Sequence, residues 1–185
     1  MTLIMVANYK EVLYDNETLV TQSLILRKFK KEDAPDILEW GSDEETLKFL
    51  TWDGVKTVEE AKAAIVEHYW SRSGIFAIEL KSNQKCIGCI DLRLKPDHEK
   101  AGFGYVLNRQ YWGKGYMTEA LSAVLKLCFE NLELNRVESC HYVGNEASGK
   151  VMSKCGMKLE GISKHGEKIK GIFHDVVYYG ILNNT

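Results

Sequence analysis

Asn108-Arg-Gln-Tyr-Trp-Gly-Lys-Gly-Tyr-Met-Thr-Glu-Ala-Leu121 joins a strand-like run, residues 101–107, to a segment with helical periodicity. Met117, Ala120, Leu121, Val124, Leu125, Cys128 and Phe129 recur at steps of three and four, which places them on one helical face. Between strand and helix stand Gly113 and Gly115. Glycine there permits positive φ and a close approach to the main chain. The first amides of a helix lack partners within it, and the helix dipole puts partial positive charge at the same end. Strand, glycine turn and helix N-terminus together form a socket for a phosphate group. Two familiar nucleotide sites are excluded, because the chain has neither Gly-x-x-x-x-Gly-Lys-Ser/Thr nor Gly-x-Gly-x-x-Gly. On this segment alone, a plain strand-to-helix turn is the alternative.

The flanking chain supplies the rest of a sheet. Residues 75–80 and 85–94 read as strands around the turn Ser82-Asn83, and Lys95-Pro96-Asp97 separates the second from 101–107. This is an antiparallel meander, with Gly102 and Gly104 marking a bulge in its third strand. Residues 136–143 follow the long helix as a strand, and a crossover through a helix implies a parallel neighbour. Asn145 is placed to cap the next helix, in which Ala147, Val151, Met152 and Cys155 share a face, and Gly156 to end it. Residues 158–164 and 172–182 close the chain as paired strands.

Upstream, residues 23–28 read as a strand. Asp33 and Asp36 introduce a short helix through Trp40, and Asp43 starts another carrying Leu47 and Leu50. Thr57 and Glu60 form a capping box for a helix that turns Ala61, Ala64, Ile65 and Tyr69 inward. Residues 1–20 carry little pattern beyond Asp15-Asn16, which suits a hairpin turn. The expected fold is α/β, with a mixed, mostly antiparallel central sheet of about seven strands, one splayed parallel pair and helices on both faces. Residues 1–20 are expected as an N-terminal extension and residues 21–185 as one domain.

Composition bounds the function. With 45% hydrophobic and 27% charged residues, the chain reads as a soluble globular protein. A formal charge of −2 gives no footprint for direct nucleic-acid binding. No segment is long enough to span a membrane. The start, Met-Thr-Leu-Ile-Met-Val, lacks the basic flank of a secretory signal. Five cysteines, an odd number, then imply reduced thiols in the cytoplasm. Cys86-x-x-Cys89 lies in a strand, where positions three apart point to opposite faces, and no second pair completes a metal site. No metal is expected.

Gln110-x-x-Gly113-x-Gly115 resembles the pyrophosphate loop of the GNAT N-acetyltransferase family, and Tyr-Met-Thr-Glu-Ala after it is similar to that family's helix start. Thr21-x-Ser-Leu-Ile-Leu-Arg27 resembles the opening of its RimJ/RimL branch, with Ser23 where an arginine is usual. The closing Leu-Glu-Gly, Glu167, His174 and Asp175-Val resemble the RimL-type ending, in which Lys170-Gly171 replaces the usual Asn-Gly turn. The resemblance covers residues 21–182 and implies the acyl-CoA N-acyltransferase fold. It also implies direct transfer of an acetyl group from acetyl-CoA to a primary amine, in first place a protein N-terminus of ribosomal-protein type. A polyamine, amino acid or aminoglycoside is the alternative acceptor, and a non-catalytic acetyl-CoA sensor the alternative class. A homodimer is also allowed.

By this resemblance coenzyme A lies along Tyr105, Val106, Leu107, Gln110, Trp112, Gly113, Lys114, Gly115, Tyr116, Met117 and Thr118, with Asn145 and Ser148 beside its arm. Splayed strands would leave the amides of Tyr105 to Leu107 facing the gap, where one could serve as an oxyanion donor. Ser148 would protonate the leaving thiolate and Glu167 would act as the base that neutralises the amine. Read alone, Asn145 with Ser148 is a helix cap, which is compatible with binding, and Glu167 also fits a solvated charge near a hairpin tip. Asp175 and Tyr178 are candidates for the acceptor side. Tyr178 and Tyr179 point to opposite faces, so at most one of them reaches the cleft.

Overall fold

The computed structural model describes residues 8–183. Among the described residues eight strands form one sheet: β1 (Leu19–Val20), β2 (Leu24–Arg27), β3 (Ile75–Leu80), β4 (Cys86–Lys95), β5 (Lys100–Leu107), β6 (Arg136–Tyr142), β7 (Lys158–Ile169) and β8 (Ile172–Leu182). They lie in the order β1-β2-β3-β4-β5-β6-β8-β7, and β5–β6 is the parallel pair in an otherwise antiparallel sheet. The strands expected from sequence are all present. The eighth, β1, is two residues long, too short for alternation to reveal it.

Helices cover both faces. On one side α1 (Tyr9–Asp15), α5 (Tyr116–Lys126) and α6 (Glu146–Lys154) share a core with β2 to β6. Ala120, Leu121 and Val124 of α5 are fully buried there, as the helical spacing requires. On the other side α2 (Ala34–Gly41) and α4 (Val58–Ala64) enclose a second cluster around Trp40, Ala61 and Ile65. The short α3 (Glu44–Leu47), capped by Asp43, lies beyond α2. Both α4 and α5 run on into a π-helical turn, Ile65–Tyr69 and Leu127–Asn131.

Three local expectations are corrected. Asp15-Asn16 does not turn a hairpin. Tyr9, Val12 and Leu13 have helical spacing, the Asn8 side chain accepts from the Glu11 amide, and Asn16 closes the helix through its amide on Val12 O. The part of that hairpin expected within residues 1–7 lies outside the described residues. Cys86 and Cys89 do not point to opposite faces, since both enter the cluster with Trp40. A register shift opposite Ile78 and Glu79 skips one β4 residue and resets the alternation. Glu60 sits three residues after the Thr57 cap, but its carboxylate takes the Lys56 amide at 2.7 Å, one residue outside the expected box.

Arg27, the last residue of the opening motif, ties β2 to β3 and to the turn that leads into α2. It is buried, with its terminal nitrogens on Asp33 at 2.7 and 2.8 Å and its Nε on Glu79 at 2.6 Å. A buried charge needs such partners, because removing one leaves the other uncompensated.

Candidate active site

The site begins where the parallel pair stops. Pairing of β5 with β6 covers only Lys100↔Arg136, Ala101↔Val137 and Gly102↔Glu138. At the next residue the Ser139 hydroxyl donates to Phe103 O at 2.7 Å, so a side chain takes over from the ladder. Past that point each strand follows its outer neighbour. β5 stays on β4 through Gly88↔Leu107, and β6 stays on β8 through Tyr142↔Val176. The expected bulge at Gly102 and Gly104 is absent, because the β4–β5 register is unbroken across both glycines. The opening comes from two strands drawn apart, with no inserted residue.

Backbone alternation shows which groups the opening frees. The Asn108 amide donates to Ile87 O at 2.7 Å, so in this antiparallel pair Val106 and Gly104 also turn toward β4. Phe103, Tyr105 and Leu107 therefore turn N–H and C=O toward the gap. Ser139 takes the carbonyl of Phe103, and the Trp112 indole takes that of Leu107 at 2.7 Å. The N–H groups of Tyr105 and Leu107, past the end of the β5–β6 ladder, have no hydrogen-bond partner among the described residues. Val106, expected with them, instead pairs its main chain with Cys89 of β4.

Gly113 and Gly115 have φ of +73° and +87°, and a Cβ built on either would meet nothing within 4 Å. Space for a ligand at the main chain is thus left open on both. Gly115 is the N-cap of α5 and offers no side chain to its first turn. The first amide satisfied from within that turn is Glu119 N on Gly115 O, which leaves Tyr116, Met117 and Thr118 as donors.

A cleft of about 300 Å³ runs from this helix end through the opened sheet. Tyr105, Val106, Leu107, Trp112, Gly113, Gly115, Tyr116, Met117, Thr118, Asn145 and Ser148 all line it. Gln110 and Lys114 do not; both are exposed, and Lys114 Nζ lies 5.2 Å from the Tyr111 ring centre. Phe49, just past α3, closes one side, its ring in ordinary contact range of a Cβ on Gly144.

Asn145 is at the N-cap of α6, yet its side chain makes no capping bond. Its φ and ψ of −112° and 53° are outside the extended region that aims a capping side chain back at the helix. Ser148 Oγ lies 2.9 Å from the Tyr105 hydroxyl, which also donates to Ser148 O at 3.0 Å. The phenol has one proton, so Ser148 Oγ–H donates to it in turn. Burial pushes the Tyr105 pKa far up, with the Ser148 bond pulling weakly the other way, so the phenol stays neutral.

Sequence reasoning missed several neighbours. Lys150 and Lys154 of α6 line the cleft one turn apart, a spacing that was legible beside Ala147 and Val151. Glu119 accepts from the Thr21 hydroxyl and the Ser23 amide, both at 2.6 Å, and so clamps the start of β2 to the first turn of α5. No local pattern signals a pair 98 residues apart.

The remaining candidates do not line this cleft. Glu167 stands opposite His174 on the hairpin, and the Tyr142 hydroxyl donates to its carboxylate. Tyr178 lies opposite Cys140 on that same sheet face, whereas Tyr179 turns to His141 in the α6-side core. Asp175 alternates to the far side from Glu167. Its oxygens accept from Lys164 Nζ at 2.7 Å and His165 N at 2.9 Å, which hold its carboxyl below the usual range. Those contacts brace the β7 irregularity between Ser163 and Glu167 and thereby set where Glu167 stands. At the hairpin tip Lys170 and Gly171 have φ of 46° and 86°, the signs of a type I′ turn, so lysine serves where Asn-Gly is usual.

Comparison with known proteins agrees with this geometry. The profile of the acetyltransferase (GNAT) domain matches residues 23–158. The uncharacterized N-acetyltransferase p20 of Bacillus licheniformis is 31% identical over 171 residues, spanning 90% of this chain and 96% of its own length. YdaF of Bacillus subtilis (strain 168), named as a candidate ribosomal N-acetyltransferase, is 39% identical over 115 residues, 62% of each chain. The crystal structure of a GNAT-family acetyltransferase from Bacillus anthracis superposes with a TM-score of 0.82 at 28% identity, covering 91% of this chain and 99% of that one. A split sheet whose free amides meet an uncapped helix end, in a chain that matches this profile over most of its length, makes the protein a member of the GNAT N-acetyltransferase family.

Proposed function

We propose that this enzyme takes acetyl-CoA as donor and acetylates a primary amine directly, and that the amine is a protein N-terminus of ribosomal-protein type. The observation that carries the donor assignment is the pair of free main-chain donor groups that border one cleft, Tyr105 and Leu107 in the opened sheet and Tyr116 to Thr118 in the first turn of α5. Main-chain N–H groups bring no desolvated cation to the site, and a helix end suits a diphosphate. Lys150 and Lys154 add mobile positive charge beside it. The name of YdaF and the RimL-like closing hairpin support the acceptor assignment.

When bound, acetyl-CoA supplies an acyl carbon already open to attack by a neutral amine. The amides of Tyr116, Met117 and Thr118 bind the diphosphate, and the uncommitted Asn145 side chain orients the arm. A gap-facing N–H of Tyr105 or Leu107 stabilises negative charge on the carbonyl oxygen as it develops. Ser148 Oγ–H would turn from Tyr105 to the departing sulfur and deliver a proton to it, and the neutral Tyr105 phenol would replace that proton on Ser148 and regain its own from solvent. Glu167, oriented by Tyr142, accepts a proton from the acceptor ammonium.

The test offers acetyl-CoA with peptides bearing free N-termini, the same peptides blocked at the N-terminus, and small polyamines. Free thiol release is read together with the mass of the acceptor. Turnover of free but not blocked peptides is expected. Turnover confined to polyamines would reassign the acceptor, and none with any amine would defeat the enzymatic reading.

A further inference from the structure

On the sheet face away from α5 and α6, β4, β5, β6 and β8 form an open floor beyond the point where β5 leaves β6. Register puts Arg93, Cys140, Tyr142 and Tyr178 on that floor, through Arg93↔Gly102, Gly102↔Glu138 and Cys140↔Tyr178. Glu167 reaches it through Tyr142. Gly104 makes the room that Arg93 uses: Nη2 lies 2.8 Å from where a Cβ on that glycine would be. The guanidinium thus lies across bare backbone, one residue before the free amide of Tyr105.

The other cations of the floor are spent. Lys95, Lys100 and Arg136 converge on Glu138, and Arg72 is held by Asp91. Arg93 has one long contact, Nε to Asp91 Oδ2 at 3.7 Å, and its side chain is 57% exposed. Among the described residues its two terminal nitrogens have no hydrogen-bond partner. Cys140 lies between this group and Glu167: burial raises its thiol pKa, Glu167 raises it further and Arg93 lowers it. One floor therefore presents a carboxylate and an uncommitted planar donor pair on either side of a single sulfur.

We propose that Arg93 is an anion clamp for the acceptor, so that the enzyme selects a primary amine with a carboxylate a few bonds away. That is the chemistry of a protein N-terminus with Asp or Glu among its first residues. The clamp rests on the acetyl-transfer reading above. Arginine suits it because its planar fork pairs with a carboxylate through two parallel bonds, which fixes orientation as well as charge. With the acceptor carboxylate on Arg93, its amine falls toward Glu167 and the gap. A free acidic amino acid offers the same two groups without the peptide.

The experiment uses the full chain and peptides identical except for Asp, Asn or Lys at the second position, with free glutamate as a separate arm. Wild type should favour Asp over Asn in kcat/KM by about 10- to 100-fold, the range for one hydrogen-bonded charge. Arg93→Gln should bring that ratio to about one, and Arg93→Glu should move the preference to the Lys peptide. An unchanged thermal midpoint will show that both variants fold, as expected for an exposed side chain. Turnover of glutamate but not of the Asp peptide keeps the clamp and makes the acceptor a free amino acid. Turnover without charge preference, or a preference that survives in Arg93→Gln, overturns the clamp alone. No thiol release in any arm overturns the acetyl-transfer reading with it.

Discussion

Gly115→Val separates ligand binding from backbone strain, because the chain carries an internal control. Gly115 and Gly156 both have φ of +87°, and neither position crowds a new Cβ: the first meets nothing within 4 Å and the second meets Ile181 Cδ1 at 3.6 Å. Valine at either site pays the same left-handed penalty, about 1–3 kcal/mol of folding stability. Only at Gly115 does the new side chain fill the space in front of the α5 amides. Losing one charge-assisted hydrogen bond there costs about 1.5–3 kcal/mol, or roughly 10- to 150-fold in Kd. Isothermal calorimetry with coenzyme A, run beside thermal melts, reads both quantities. The expected result is two variants with similar melting losses, of which only Gly115→Val loses affinity. Equal affinity in Gly115→Val and wild type would remove the glycine turn from the binding site.

Glu167→Gln should lower kcat at neutral pH by about 10²- to 10⁴-fold with the KM for acetyl-CoA unchanged, measured by steady-state thiol release. Tyr105→Phe strips the partner from Ser148 and should cost about 1–3 kcal/mol in denaturant melts while lowering kcat. Burial raises the Glu119 pKa, but the Thr21 hydroxyl and Ser23 amide outweigh it and leave the value below normal. Its stabilisation is therefore full above the unfolded carboxyl pKa of about 4.3 and is lost as pH falls through the lower folded value. Glu119→Gln should be about 1–2 kcal/mol less stable at neutral pH, and the gap should close in acid; a gap independent of pH would contradict the assignment.

What could be read in advance was local and periodic. The buried face of α5, the Asp43 and Thr57 caps, the meander and the Gly156 stop each depend on residues within a turn or two of one another. The glycine loop was legible because few backbones need two positive φ values two residues apart. Errors arose where distant chain decides. The opening beside Gly102 and Gly104 follows from how far β6 is held by β8 and from Ser139, which strand composition cannot reveal. Alternation failed at Cys86 and Cys89 because one skipped residue on β4 depends on its fit to β3. Asn145 had the identity of a capping residue without the backbone angles, and Asp175 looked available until the irregular β7 supplied Lys164 and His165 to hold it. Nothing in the sequence singles out Arg93, since its significance depends on the nearby Gly104 and on where the neighbouring cations are spent.

Amide chemical shifts followed by NMR during a coenzyme A titration report directly on whether main-chain nitrogens grip the ligand. Tyr116, Met117 and Thr118 at the α5 N-terminus, with Gly113, Gly115 and the gap-facing Tyr105 and Leu107, should move most, while Val106, paired to β4, moves less. Saturable shifts centred elsewhere on the fold, or none at all, would contradict the site.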